Sequence, residues 1–341
     1  MNALRLPPGV MTRSGILASV TLTLFLVAGS GGREASAHDV SAVHSGTEVR
    51  EGRVGPFAGV SEQFSRSTTL QRDGEEVDNE ANERLESSIT QLVAGYGVTP
   101  KLSVQANVPL IHRSFRRVVG EAIDRGNETG IGDVSLLGRF AVWSRVTEES
   151  LVRLSLLGGV ELPTGDSDRL AEELEENHHQ DGEEVEPHEH GDESGVHGHD
   201  LALGSGSWDG LFGAQLFASS GRAFFGGNVQ YAVRTEGDFD YDHANELTWS
   251  GGPGWLLVLR HDCVLGLQAV FSGQSKGEDR LRGEDLDDTA ITSLYAGPGL
   301  LFTWSSSLGT DVAADLPVVQ NNSALQIIAD FRLRGGLTWR F

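Results

Sequence analysis

A single cysteine, Cys263, occurs in 341 residues. That excludes a disulfide framework and any zinc centre built from several thiolates. Positive charge is scarce as well: 26 Lys and Arg face 49 Asp and Glu, for a formal net charge of −23. Nucleic acid is therefore excluded as a partner, because its phosphates need clustered basic side chains. Past the N-terminus no run of about 18 apolar residues occurs, so no helical membrane span is expected. A β-barrel stays open, since its wall hides hydrophobicity at alternate positions. Glycine, by contrast, is plentiful: 44 residues against 10 prolines, nearly twice the usual ~7%. Such a content suits turns and close backbone packing rather than long helices.

Residues 1–37 read as a secretory signal peptide. Arg5 and Arg13 precede the apolar run Ile16 to Ala28, and Ala35-Ser36-Ala37 supplies small residues for cleavage. Residues 38–60 are then a periplasmic N-terminal segment, with an inward-folded hatch as the alternative.

From residue 61 to 341 one unit repeats: an alternating segment, a connection, another alternating segment. In the last of them Ile327, Ala329, Phe331, Leu333, Gly335, Leu337, Trp339 and Phe341 fall on one face. Asp330, Arg332, Arg334, Thr338 and Arg340 fall on the other. Charges interleaved with large apolar groups fit a strand between two solvents and not a helix. Twelve such segments lie near 61–70, 84–97, 101–113, 130–145, 151–162, 207–218, 222–235, 245–260, 263–274, 289–305, 309–319 and 326–341. Their connections alternate between short turns, as at Val98-Thr99-Pro100 and His261-Asp262, and long polar stretches at 71–83, 114–129, 163–206, 236–244 and 275–288. Short turns on one rim and long loops on the other mark an all-β, antiparallel, up-and-down transmembrane barrel, with short periplasmic turns and long extracellular loops. Trp143, Trp304 and Trp339 fall at the short-turn rim and Trp208 and Trp249 at the long-loop rim, as two bilayer interfaces select. Trp255 falls between the belts. Outer-membrane lipid is the implied surrounding, and the closing strand, ending in Phe341, is the expected handle for the barrel-assembly machinery.

Charges between lipid-facing residues should point inward, because a lipid-facing Arg or Lys at the midplane costs ~2–4 kcal/mol. The expected lumen set for a small-molecule solute is Arg139, Arg153, Glu161, Arg234, Asp330, Arg332 and Arg334, with Gln105, Asn107, Asn228, Gln230 and Gln268. That wall is polar and mildly basic. It reads either as a constriction for anions or aromatic acids, or as Arg–carboxylate pairs filling a closed barrel.

Residues 163–206 hold fourteen Asp or Glu against one base, Arg169, and six of the eleven His. These are His178, His179, His188, His190, His197 and His199. Two pairs stand two residues apart, which in an extended backbone aims both rings the same way. Imidazoles among carboxylates suit Zn²⁺, Cu²⁺ or Ni²⁺. The loop is expected to be disordered and to bind such metals weakly, and no cofactor is required. His38 with His44 forms a lesser copper-site candidate. Catalysis is not expected. There is no HExxH, and the one GxSxG string, Gly273 to Gly277, runs into a polar loop where a nucleophile elbow needs a helix.

The stretches GYGVTPKLSVQANVPL, GIGDVSLLGRF, VELPTGDSD, GSGSWDGLFGAQL, NVQYAVRTEGDFDY, EDLDDTAITSLYAGPGLLF and FRLRGGLTWRF occur in order across 95–341. In them the chain resembles the outer-membrane transporter-like family linked to meta-pathway phenol degradation. The resemblance implies a Gram-negative outer-membrane barrel with a transport role, and no particular site. The acidic, His-laden stretch 170–200 departs from that family's pattern. The reading is a channel for small solutes with a metal-gathering external loop. The alternative is a barrel-anchored surface protein for metal capture or a structural role, without an open pore.

Overall fold

The computed structural model describes residues 54–120, 122–174, 194–305 and 307–341. Residues 1–37, expected to be a signal peptide, and His38 and His44 lie outside the described residues. Twelve long strands form the wall: β1 (Gly55–Arg72), β2 (Arg84–Gly97), β3 (Leu102–Val119), β4 (Val134–Val146), β5 (Ser150–Leu162), β6 (Asp209–Ser220), β7 (Ala223–Val233), β8 (Glu246–Leu259), β9 (Cys263–Lys276), β10 (Ile291–Trp304), β11 (Leu308–Asn322) and β12 (Leu325–Arg340). Each pairs antiparallel with the next, and β12 returns to β1 from Phe57↔Arg340 to Arg72↔Leu325. The wall has no free edge. Closure is what a bilayer demands, since it offers nothing to hydrogen-bond an open strand.

Alternation sorts the side chains. Ser61, Gln63, Ser65 and Ser67 of β1 are buried inside, while their neighbours face out. Leu267, Leu300 and Val312 are 45%, 49% and 58% exposed on three neighbouring strands. Apolar area left open in this way is what acyl chains cover. Short turns close on themselves: the Thr99 hydroxyl accepts from Lys101 and Leu102 N–H, and Thr147 N–H donates to Ser150 O. Gly221 turns with φ +55°, a region most side chains avoid. Trp255 pairs with Ala223, the first residue of β7, so it joins the short-turn belt. Its strand continues past that rim, which is why sequence position alone set it between belts. Glu62 breaks the rule of inward charge. It lies on the outer face, where the Ser88 and Thr90 hydroxyls donate to its carboxylate.

Four expectations are corrected. The wall starts at Gly55, so residues 55–60 are strand and not periplasmic segment. Residues 114–129 are no loose loop: β3 runs on to Val119 and pairs with Ala122–Ile131 as an arm beyond the wall. The β1–β12 register slips at Ser67 and Thr69, so strict alternation does not hold for β12. Ile327 therefore packs inside with Leu70 and Val196 instead of facing lipid. Asp330, expected in the lumen set, sits at that slip and accepts from the Thr68 and Thr69 hydroxyls at 2.6 and 2.7 Å.

The fourth correction is the largest. Residues 163–174 and 194–206, expected to be disordered, fold into the outer mouth. Val196 and Leu201 pack against Leu70, Leu85, Phe115 and Ile327. Leu203 packs against Ile89 and Ile111. The mean polarity of 163–206 concealed four apolar anchors, Val196, Leu201, Ala202 and Leu203, whose burial offsets the cost of ordering the segment. A small sheet of Tyr241–Asp242, Asp279–Leu281 and Glu284–Leu286 lies beside it, sharing a core of Leu170, Ala202, Tyr241, Leu281 and Leu286.

Because Leu300 stands among exposed apolar neighbours, Leu300→Arg is expected to destabilise the barrel by ~2–4 kcal/mol in denaturant unfolding from lipid vesicles. Leu300→Met should stay within ~1.5 kcal/mol. Equal stability of the arginine variant and the native chain would contradict lipid exposure at this position.

Candidate functional site: the capped lumen

The folded loop, here called the cap, has both its ends tied to the wall by one carboxylate, while Glu83 accepts from Ser194 Oγ–H at 2.6 Å and Arg117 meets Glu172 at 2.7 Å. Asp133 lies in the two-residue break between the Ala122–Ile131 arm and β4. Its Oδ1 accepts Thr164 and Gly165 N–H at 2.9 and 2.8 Å. Its Oδ2 accepts Ser205 N–H and Oγ–H at 2.7 and 2.9 Å. Both ends of the long loop are thus fastened to one residue. Gly165 and Gly204 meet there so closely that a Cβ on Gly165 would stand 2.7 Å from the Gly204 Cα. A buried arginine, Arg113, reaches from β3 to the Ala202 carbonyl. Each hydrogen bond to a charged group contributes about 1.5–3 kcal/mol.

Below the cap the lumen is polar and cross-braced. Arg234 bridges Glu161 and Asp209 at 2.8 and 2.7 Å. Arg334 meets Asp315 at 2.7 Å, and Ser272 Oγ–H donates to the same carboxylate. Arg332 lies 3.6 Å over the Tyr295 ring and donates to Gln274. A cavity of about 110 Å³ lies inside the wall among Arg153, Gln215, Asn228, Gln268, Asp311 and Arg334. A second, of about 70 Å³, lies under the cap among Arg113, Glu161, His199, Arg234 and Lys276. Arg139 takes an inward position of β4 opposite Ser103 and Leu157. Of the expected lumen set, Arg153 and Arg334 share the lower cavity and Glu161 and Arg234 the upper one. Asp330 joins neither. The carboxylates that balance the arginines were missed, although Asp311 and Asp315 stand at alternating positions of the segment 309–319.

The histidines divide. His178, His179, His188 and His190 lie outside the described residues. His197 and His199 are buried in the cap at either side of the start of a helical turn, Gly198–Leu201, their ring centroids 5.4 Å apart. They meet through that turn and not along the extended backbone that the spacing suggested. His197 Nε2 stands 2.6 Å from Ser194 O, and its Nδ1 stands 2.7 Å from Asp288 of the neighbouring loop. His199 Nδ1 stands 2.9 Å from Glu173, with Asp200 3.8 Å from its Nε2. Burial alone would push both imidazoles toward neutrality. The carboxylates override it, with Asp288 foremost at His197, carried up to about 10, and Asp200 at His199, carried up to about 9. Against the penalty of burial, the same histidines hold Asp288 well below the usual carboxylate range. Asp288 and Glu173 had no signal in the sequence beyond two polar stretches, because folding alone brings them together.

Ser275 of the GxSxG string lies within β9, and a short strand, not a helix, follows it. It has no nucleophile-elbow geometry.

No family model matches the sequence, and no curated protein does. Among solved structures, an outer membrane channel from Pseudomonas putida F1 superposes with TM-score 0.56 at 15% identity, over 85% of this chain and 96% of that one. The β-domain of the Bordetella autotransporter BrkA gives 0.40 at 10% identity, over 84% and 99%. The translocator domain of NalP from Neisseria meningitidis gives 0.40 at 11%, over 88% and 93%. The first likeness shows a shared fold. With the apolar outer wall and its two tryptophan belts, it sets the chain in an outer membrane as a closed twelve-stranded barrel.

Since Asp133 fastens both ends of the cap, Asp133→Ala should loosen those ends while leaving the wall intact. Limited proteolysis of the folded protein should then cut within 163–206 more rapidly, while the unheated barrel keeps its fast-migrating band on SDS gels. Unchanged cleavage would show that the cap does not depend on this carboxylate.

Proposed function

We propose that the chain is a channel for small solutes, aromatic or anionic molecules in particular, with the folded cap as its outer gate. The observation that carries this reading is the cavity inside the wall, where Arg153 and Arg334 stand among amide side chains and a largely apolar lining. A barrel built only as an anchor has no need to keep solvent-sized space with a few charged groups between its walls. Arginine is suited to carboxylates because its fork donates two parallel hydrogen bonds. The resemblance to transporter-like proteins of phenol degradation supports a transport role, and assembly through the strand ending in Phe341 belongs to the same reading.

A second reading, an anchored surface protein without an open pore, is favoured by the ion pairs that cross-brace the lumen, Arg234 with Glu161 and Asp209, and Arg334 with Asp315. Conductance of the purified chain in planar bilayers separates the two. The channel reading expects discrete openings with anion preference. In Arg153→Gln/Arg334→Gln the reversal potential under a salt gradient should move toward cation preference. Absence of current under every condition would overturn the channel and leave the anchor.

A further inference from the structure

His197, Asp288 and His199 do more than neutralise one another. Ser194 O can only accept, so the 2.6 Å contact places a hydrogen on His197 Nε2. Nδ1 then faces Asp288 Oδ2 at 2.7 Å, yet the contact is off the line that an N–H···O bond needs, and this buried nitrogen has no aligned hydrogen-bond partner. The two atoms converge on one point and have only to part slightly to admit an ion between them. His199 supplies the third: one donor atom from each of His197, His199 and Asp288 lies within 4.8 Å of the others. Ligands of a tetrahedral ion with bonds of about 2.0–2.1 Å stand about 3.3 Å apart, so the widest separation has to close by up to about 1.5 Å. The surroundings agree. Glu173 lies against His199 Nδ1 and also accepts its backbone N–H, the carboxylate backing that fixes a ligating imidazole. Once a metal displaces the proton from each ring, Asp288, Glu173 and Asp200 leave three negative charges in a buried pocket, and a divalent cation offsets most of them. Borderline nitrogen and oxygen donors of this kind favour Zn²⁺ or a neighbouring transition metal over Ca²⁺ or Mg²⁺.

The two sides of the cluster belong to different loops. His197 and His199 sit in the cap, and Asp288 ends the stretch that carries the small outer sheet. We propose that His197, His199 and Asp288 form a Zn²⁺-class site that clasps the cap to the neighbouring outer loop, so that bound metal holds the outer mouth closed. The gating half rests on the channel reading above. The site itself does not.

The experiment uses the full chain folded in detergent or bilayers. Zn²⁺ is titrated by calorimetry and then added during conductance recording. The quadruple variant His178→Gln/His179→Gln/His188→Gln/His190→Gln should keep one stoichiometric Zn²⁺ site. His197→Gln/His199→Gln, and separately Asp288→Asn, should weaken it about tenfold or more. Heat-modifiable migration on gels confirms that each barrel is folded, and because Asp288 lies in a second loop, its variant guards against a local failure of the helical turn. Zn²⁺ should lower the conductance of the native chain, EDTA should restore it, and His197→Gln/His199→Gln should not respond. Loss of the site in the quadruple variant, or its survival in the other two, overturns the site. Binding without any change in conductance overturns the clasp as a gate. A chain that never conducts overturns the channel reading and the gating half with it, while calorimetry still decides the site.

Discussion

The wall is one residue thick and separates two solvents, and everything else in the molecule follows from that constraint. In hydrocarbon an unpaired backbone amide costs several kcal/mol, so the strands must close on one another. Once β12 has paired with β1, each residue faces either lipid or lumen. Apolar side chains take one face and serines, glutamines and arginines take the other. The acidic excess cannot remain in the wall unpaired, and it collects in the outer loops and in pairs that cross the lumen.

The register slip in β1 and β12 shows how a local departure is used. At Ser67 and Thr69 the alternation changes, and above that point Ile327 and Leu70 turn inward at the level of the outer mouth. An apolar ring inside a polar barrel needs a cover. Val196 and Leu201 of the cap provide it, and Leu203 extends the same packing onto Ile89 and Ile111. Asp133 and Arg113 then fix where the cap can sit. Wall and cap are therefore one design.

Much of the fold was legible because a barrel's code is local. Alternation, turn chemistry and the lengths of connections lie within a few residues of each other, and all twelve wall strands were readable from them. The cap was not. Thirteen net negative charges across 163–206 dominate any average over that loop, and the eight residues Val196 to Leu203 carry too little weight to oppose it. Asp330 and Ile327 were misplaced for a related reason: a slip in pairing is a property of two strands and leaves no trace in one. For the histidines the residue types were visible, but Asp288 comes from a loop some ninety residues on in sequence, and only the packed mouth brings it near. Trp255 was puzzling only while strand ends were taken to mark the membrane boundary.

The central claim is that the cap, seated on the inner wall, governs passage through the lumen. Its most direct test replaces Cys263 with Ser and introduces Leu203→Cys with Ile89→Cys, residues of one apolar cluster that spans cap and wall. Single-channel recording of this protein before and after reduction reads the effect of locking alone. The account predicts low, unvarying conductance while the bond is intact and larger, fluctuating conductance once it is reduced. The same conductance in both states, with cross-linking verified by mass, would contradict it.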